Sequence, residues 1–155
     1  MSPLRTLSAL AIALGLLFSP MISRADGHTQ VTWTRIEVPD DAGQAALEKS
    51  VKKLLDQAAK KANFGKVKSV SFSVKVTELV SETKGDVHRV TCTIIGRIPG
   101  GPSAKSRISF GGSPGDKAKL EKQVLTMVTK AMVTRLAEIV RARAAKEAAA
   151  KEDAE

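Results

Sequence analysis

The chain has 155 residues, with 25 Lys and Arg against 16 Asp and Glu, a formal net charge of +9. Hydrophobic residues at 43% and charged residues at 26% exclude wholesale disorder, and the length suits one domain with an appendage. One cysteine excludes an internal disulfide framework and a four-cysteine zinc site, and aromatics at 3% leave little to stack on nucleic-acid bases.

Residues 1–25 read as a secretory signal. Arg5 supplies the positive start, residues 7–18 (LSALAIALGLLF) form the apolar run, and Ser23 and Ala25 are small residues at −3 and −1. The run falls short of the roughly 20 apolar residues of a membrane span. Cleavage after Ala25 is expected to free residues 26–155 into a periplasm or the exterior, with no transmembrane segment. No cysteine lies near that point for acyl anchoring.

Residues 26–40 begin polar and turn β-prone. Val31 and Trp33 alternate, then Ile36 and Val38 alternate out of step, which allows a short edge strand. Asp40-Asp41 predicts a helix start, with Gln44 as the capping-box partner of Asp41. Leu47, Val51, Leu54, Leu55, Ala58 and Ala62 share one helical face ending near Asn63 to Gly65, with Lys49, Lys52, Lys53, Asp56 and Lys60 opposite.

Three strand patterns follow. Val70, Phe72, Val74 and Val76 alternate with polar residues, and residues 81–86 (SETKGD) read as a turn. Val90, Cys92 and Ile94 alternate next, before Pro99-Gly100-Gly101-Pro102 breaks the ladder. Ala104, Ser106, Ile108 and Phe110 form the last set, and Gly111-Gly112 ends it. Ser113-Pro114 opens a second helix with a broad apolar stripe from Leu120 to Val140. Residues 144–155 are alanine-rich and charged, a solvated helical extension expected to fray.

The expected fold is α+β, an α-β-β-β-α two-layer sandwich. A three-stranded antiparallel meander, with room for an N-terminal edge strand, carries both helices on one face. The chain divides into the signal (1–25), an N-terminal segment (26–40), the α+β domain (41–143) and the tail (144–155). That arrangement leaves the other sheet face uncovered.

The outward positions place Lys75, Arg89, Arg97, Lys105 and Arg107 among hydroxyl residues on that face, with no acid between them. Net charge runs −4 over residues 26–48, +10 over 49–122 and +1 over 123–155. A cationic face with hydroxyl donors suits an anionic envelope polymer, a membrane surface of lipid headgroups or an acidic protein. Two alternatives stand beside it: a face charged for solubility, and a homo-oligomer that self-associates through this face or the C-terminal helix.

Enzyme chemistry finds no constellation. His88 and Cys92 share a strand face but lie about 13 Å apart at strand rise. Cys92 reads as a buried structural thiol, with intermolecular pairing the alternative. Glu78, Glu82 and Asp86 gather at the first hairpin and suggest at most a weak calcium site. No metal or cofactor spacing is present, so the chain is read as a non-enzymatic binding or adaptor domain of the cell envelope.

The α-β-β-β-α order resembles a double-stranded RNA-binding domain, in which Lys117, Lys119 and Lys122 would be the matching cations. Asp116 and Glu121 lie among them, and the export signal argues against nucleic acid as a partner. Residues 68–112, with Val76-Thr77-Glu78-Leu79 and Pro99-Gly100-Gly101 between strands and a long helix after, resemble small exported bacterial proteins of unknown function. That resemblance implies fold and export, and no activity or site.

Overall fold

The computed structural model describes residues 29–40 and 43–152; the predicted export signal lies outside them. The chain order is β1 (Gln30–Glu37), α1 (Gln44–Lys61), β2 (Ser69–Lys84), β3 (Val87–Arg97), β4 (Ser103–Gly112), a 3-10 turn (Pro114–Asp116) and α2 (Lys117–Glu152). The sheet has four strands in the order β1-β2-β3-β4. The expected three-stranded meander is present as β2, β3 and β4, which pair antiparallel. The sheet as a whole is mixed, because β1 joins β2 in parallel. A parallel pair needs a crossover, and α1 is that crossover.

Two bulges set which side chains face where. The shift between Trp33 and Arg35 pairs Val31 with Val70 and Ile36 with Val74, so one extra residue, Thr34, absorbs the out-of-step alternation of β1. Thr34 Oγ1 donates to the Phe72 carbonyl at 3.1 Å. A second shift lies between Val76 and Glu78. It reverses the parity of β2, so Leu79 follows Val74 and Val76 onto the inner face while Glu78, Val80 and Glu82 turn outward.

The links follow turn chemistry. The first hairpin is tighter than its composition suggests, because β2 runs on to Lys84 and pairs it with Val87 across Gly85-Asp86. In the second, Ile98 accepts from Gly101 N–H at 2.9 Å around Pro99-Gly100. Gly100 has φ +64, the positive angle that the third residue of a Pro-Gly type II turn requires. α1 starts at Gln44 with Gly43 as its N-cap, later than the predicted Asp41–Gln44 box; Asp41 itself lies outside the described residues. Ser113 caps the 3-10 turn through Gly115 N–H at 3.4 Å, and α2 then runs unbroken for 36 residues. The alanine-rich tail is therefore helical through Glu152.

Both helices pack on one sheet face. Val51 and Leu55 of α1 meet Phe72, Val74, Val76, Val90, Cys92 and Ile94 of the sheet and Val124, Val128, Met132 and Leu136 of α2 in a single core. Each large buried aliphatic contributes about 1.5–3 kcal/mol. Gly96 lets α2 sit close on β3. A Cβ there would fall 2.5 Å from Met132 Sδ and 2.7 Å from Leu136 Cδ1, both in fully buried side chains. His88 is also buried on the inner face, its Nε2 2.9 Å from Ser81 Oγ and its Nδ1 2.7 Å from Thr83 Oγ1, clasping the two hairpin strands.

Two substitutions test this packing in opposite directions. Gly96→Ala overpacks the α2–β3 seam and should cost about 1–3 kcal/mol in urea unfolding. Thr129 is fully buried in α2 with an Oγ1 that has no hydrogen-bond partner. Thr129→Val keeps the shape, removes the orphaned hydroxyl, and should stabilise the chain by about 1 kcal/mol. Equal stability of Gly96→Ala and the parent would contradict the close seat of α2.

Candidate functional site

The uncovered face carries the five predicted cations, but the ladder separates them. Two cross-strand rows matter. One runs Glu37, Lys75, Ile95, Lys105 through all four strands, and its neighbour runs Arg35, Ser73, Arg97, Ser103. At strand spacing each row spans about 14 Å. They bring Lys75, Arg97 and Lys105 together and add Arg35, which lies on the edge strand whose outward positions the sequence does not by itself align with the other three. A shallow hollow of about 350 Å³ lies among Arg35, Glu37, Ser73, Lys75, Ile95 and Arg97.

Arg107 and Arg89 do not belong to this group. Arg107 sits mid-sheet, its Nη2 3.2 Å from Glu78 Oε1, while Glu78 Oε2 accepts from Thr93 Oγ1 at 2.7 Å. Arg89 pairs in register with Glu82 near the hairpin tip. It stands eight residues from Arg97 on β3, about 26 Å away.

The expectation of an acid-free face is therefore corrected. Glu37, Glu78 and Glu82 all share it, two of them because the shift at Thr77 turns them outward. Glu78 and Glu82 are strand residues, not hairpin-loop acids, and Glu82 lies 3.6 Å from Lys84. Among the described residues no cluster of three or more metal-ligating side chains forms, so the weak calcium reading finds no geometry there.

Glu37 is the acid within the cationic group. Arg35 Nε lies 2.7 Å from its Oε1 and Lys75 Nζ 2.9 Å from its Oε2. The hydrogen bond from Lys75 holds its carboxyl below the ordinary 4.5, burial opposes that, and the charges of Arg35 and Lys75 add to it. Four cations against one carboxylate in these two rows leave this end of the face with an excess of three positive charges. Ser73 lies between them, and Ile95 gives the floor an apolar spot. Long cations with slack hydrogen-bonding capacity and a neighbouring hydroxyl can hold phosphate, sulfate or carboxylate groups.

Elsewhere the reactive groups are enclosed. Cys92 is fully buried and free. Burial pushes its thiol up to about 12, and the carboxylates of Glu78 and Glu121 push the same way. Thr83, not a carboxylate, stands at His88 Nδ1, so the Ser81–His88 contact lacks the charge that orients and activates a nucleophilic pair.

No protein-family profile and no curated protein matches the chain. Among solved structures it is similar to a candidate lipoprotein from Caulobacter crescentus at 9% identity and TM-score 0.46, over 78% of this chain and 94% of that one. It is similar to a minor lipoprotein from Acinetobacter baumannii at 11% identity and TM-score 0.37, over 75% and 92% of the two chains. A PelC dodecamer from Paraburkholderia phytofirmans matches at 14% identity and TM-score 0.44, over 70% of this chain and 89% of that one. With TM-scores below 0.5, these likenesses assign neither family nor function. Among the described residues no helix is long and apolar enough to cross a membrane.

A thiol probe checks the enclosure of Cys92. At about pH 8 a thiol titrating near 12 is ionised in about one molecule in 10,000, so the folded chain should resist an aromatic disulfide reagent. Unfolding in guanidinium should release one reactive thiol per chain. Rapid labelling of the folded chain would contradict the buried position.

Proposed function

We propose that this protein is an exported, non-enzymatic binding domain of the cell envelope that holds anionic groups at the cationic end of its open sheet face. The reading rests on one observation: two adjacent cross-strand rows carry Arg35, Lys75, Arg97 and Lys105 with a single carboxylate, Glu37, on a face that neither helix covers. Ligands of this chemistry are anionic polymers, lipid headgroups or acidic protein segments. Arg35, Lys75 and Arg97 contact the anion, Lys105 widens the field at the β4 edge, and Ser73 donates a neutral hydrogen bond. Arg107 and Arg89 are left out of the binding set, one held by Glu78 and one remote.

Self-association is the second reading, and α2 favours it. Its last well-buried side chain is Val140, yet the helix continues through residues 141–152 clear of the core.

Binding of the mature chain to immobilised dextran sulfate and to phosphatidylglycerol vesicles tests the first reading. Affinity should fall steeply between about 50 and about 500 mM salt, because exposed charges more than a Debye length apart are screened. Arg97→Glu with Lys105→Glu should weaken binding about tenfold or more, while Arg89→Glu should change it little. Glu37→Gln should strengthen binding about two- to five-fold at neutral pH by freeing Lys75 and Arg35. Lowering the pH to about 5 should not mimic that variant, because a carboxyl held below 4.5 stays ionised there. Salt-independent binding, or equal losses from Arg89→Glu and from the Arg97 and Lys105 pair, would overturn this site.

A further inference from the structure

A second hollow, of about 540 Å³, lies on the helix side between the start of β1 and the last turns of α1. That volume falls within the roughly 300–1,000 Å³ of small-molecule sites. Its walls are apolar: Val31 from β1, Ala59 and Ala62 from α1, and Phe64 just beyond. Phe64 stands 5.9 Å from Phe72, which stands 5.6 Å from Trp33, so three of the five aromatic residues of the chain back this one corner. The two alanines leave the space that larger side chains would fill.

The rim is polar and of mixed sign. Asp56 and Lys60 line it one helical turn apart, a spacing that sets side chains about 5–6 Å from each other. Trp33 Nε1 donates to Asp56 Oδ1 at 2.8 Å and anchors that carboxylate at the opening. An acid and a base side by side above an apolar hollow complement a zwitterion better than a net charge of either sign.

We propose that this hollow binds a single-chain amphiphile with a zwitterionic head. The alkyl chain lies against Val31, Ala59, Ala62 and Phe64, the head's ammonium meets Asp56, and its phosphate meets Lys60. In a chain cleaved after Ala25 only Asp26, Gly27 and His28 precede Thr29, and none of them carries an aliphatic side chain. This site shares no residue with the cationic end of the sheet, so each stands or falls by itself.

Trp33 is the single tryptophan of the chain, so its emission reports on this corner alone. The probe is a lysophosphatidylethanolamine with a twelve-carbon chain, added to the mature protein below its micelle concentration. The expected result is a saturable change in Trp33 emission with one amphiphile bound per chain. Laurate and dodecylamine, which offer one charge each, should bind about tenfold more weakly. Ala59→Leu and Lys60→Glu should each weaken binding about tenfold, the first by filling the hollow and the second by repelling the phosphate. Lys60 is exposed, so its variant keeps the fold and reads the rim alone. Arg97→Glu should leave the titration unchanged. No saturable response, equal affinity for all three heads, or an unaffected Lys60→Glu would overturn the proposal. A Trp33 change on removing residues 26–28 without amphiphile would also overturn it, because that segment would then be the occupant.

Discussion

The close seat of α2 on β3 is the constraint from which the rest of the architecture follows. Gly96 removes the one side chain that would hold the helix off, and Met132 and Leu136 fill the space it leaves. With α2 down on β3 and β4, and α1 beside it over the β1 side, the buried apolar side chains of the sheet gather on one face, and Val80 and Ile95 stay on the other. The core then needs nothing from the outer face. Long cations can stand there in water at little cost, which they could not do between layers. The charged face is thus a consequence of one-sided packing, and its composition is free to serve binding.

What that face displays is decided by register. Because side chains alternate with period two, one extra residue in a strand exchanges the two faces beyond it. At Thr77 the exchange brings Glu78 and Glu82 out beside Arg107 and Arg89, and so divides a face that would otherwise be uniformly basic. At Thr34 it keeps Ile36 inward with Val31 and Trp33, and in doing so turns Arg35 and Glu37 outward toward Lys75. The cationic end is the part of the face where acids are most outnumbered, and both bulges contribute to placing it.

Much of this was legible in the residues. The stripes of α1 and α2, the three antiparallel strands, the Pro-Gly turn and the buried Cys92 all follow from periodicity and turn chemistry. The misfit between Trp33 and Ile36 was itself the signature of the bulge at Thr34. Other features were not legible, for physical reasons. Leu79 and Val80 are adjacent aliphatics, so either parity satisfies the pattern after Val76, and the sequence offers no sign of which one faces the core. The parallel partner of β1 is chosen by a crossover through α1, a long-range pairing that no local pattern encodes. Without β1 in place Arg35 has no neighbours, and without the register Arg107 and Arg97 look alike. The corner behind Trp33 was hidden for the same reason, since Trp33, Asp56 and Phe64 meet only in three dimensions.

The central claim is that the outer sheet face stands open with its cations available. The native mass of residues 26–155, measured by light scattering at low and at high salt, tests it most directly. The expected result is the mass of a single chain under both conditions. A stable dimer or larger assembly that persists in high salt, and that charge reversal at Arg97 returns to single chains, would show the face to be an interface and contradict it.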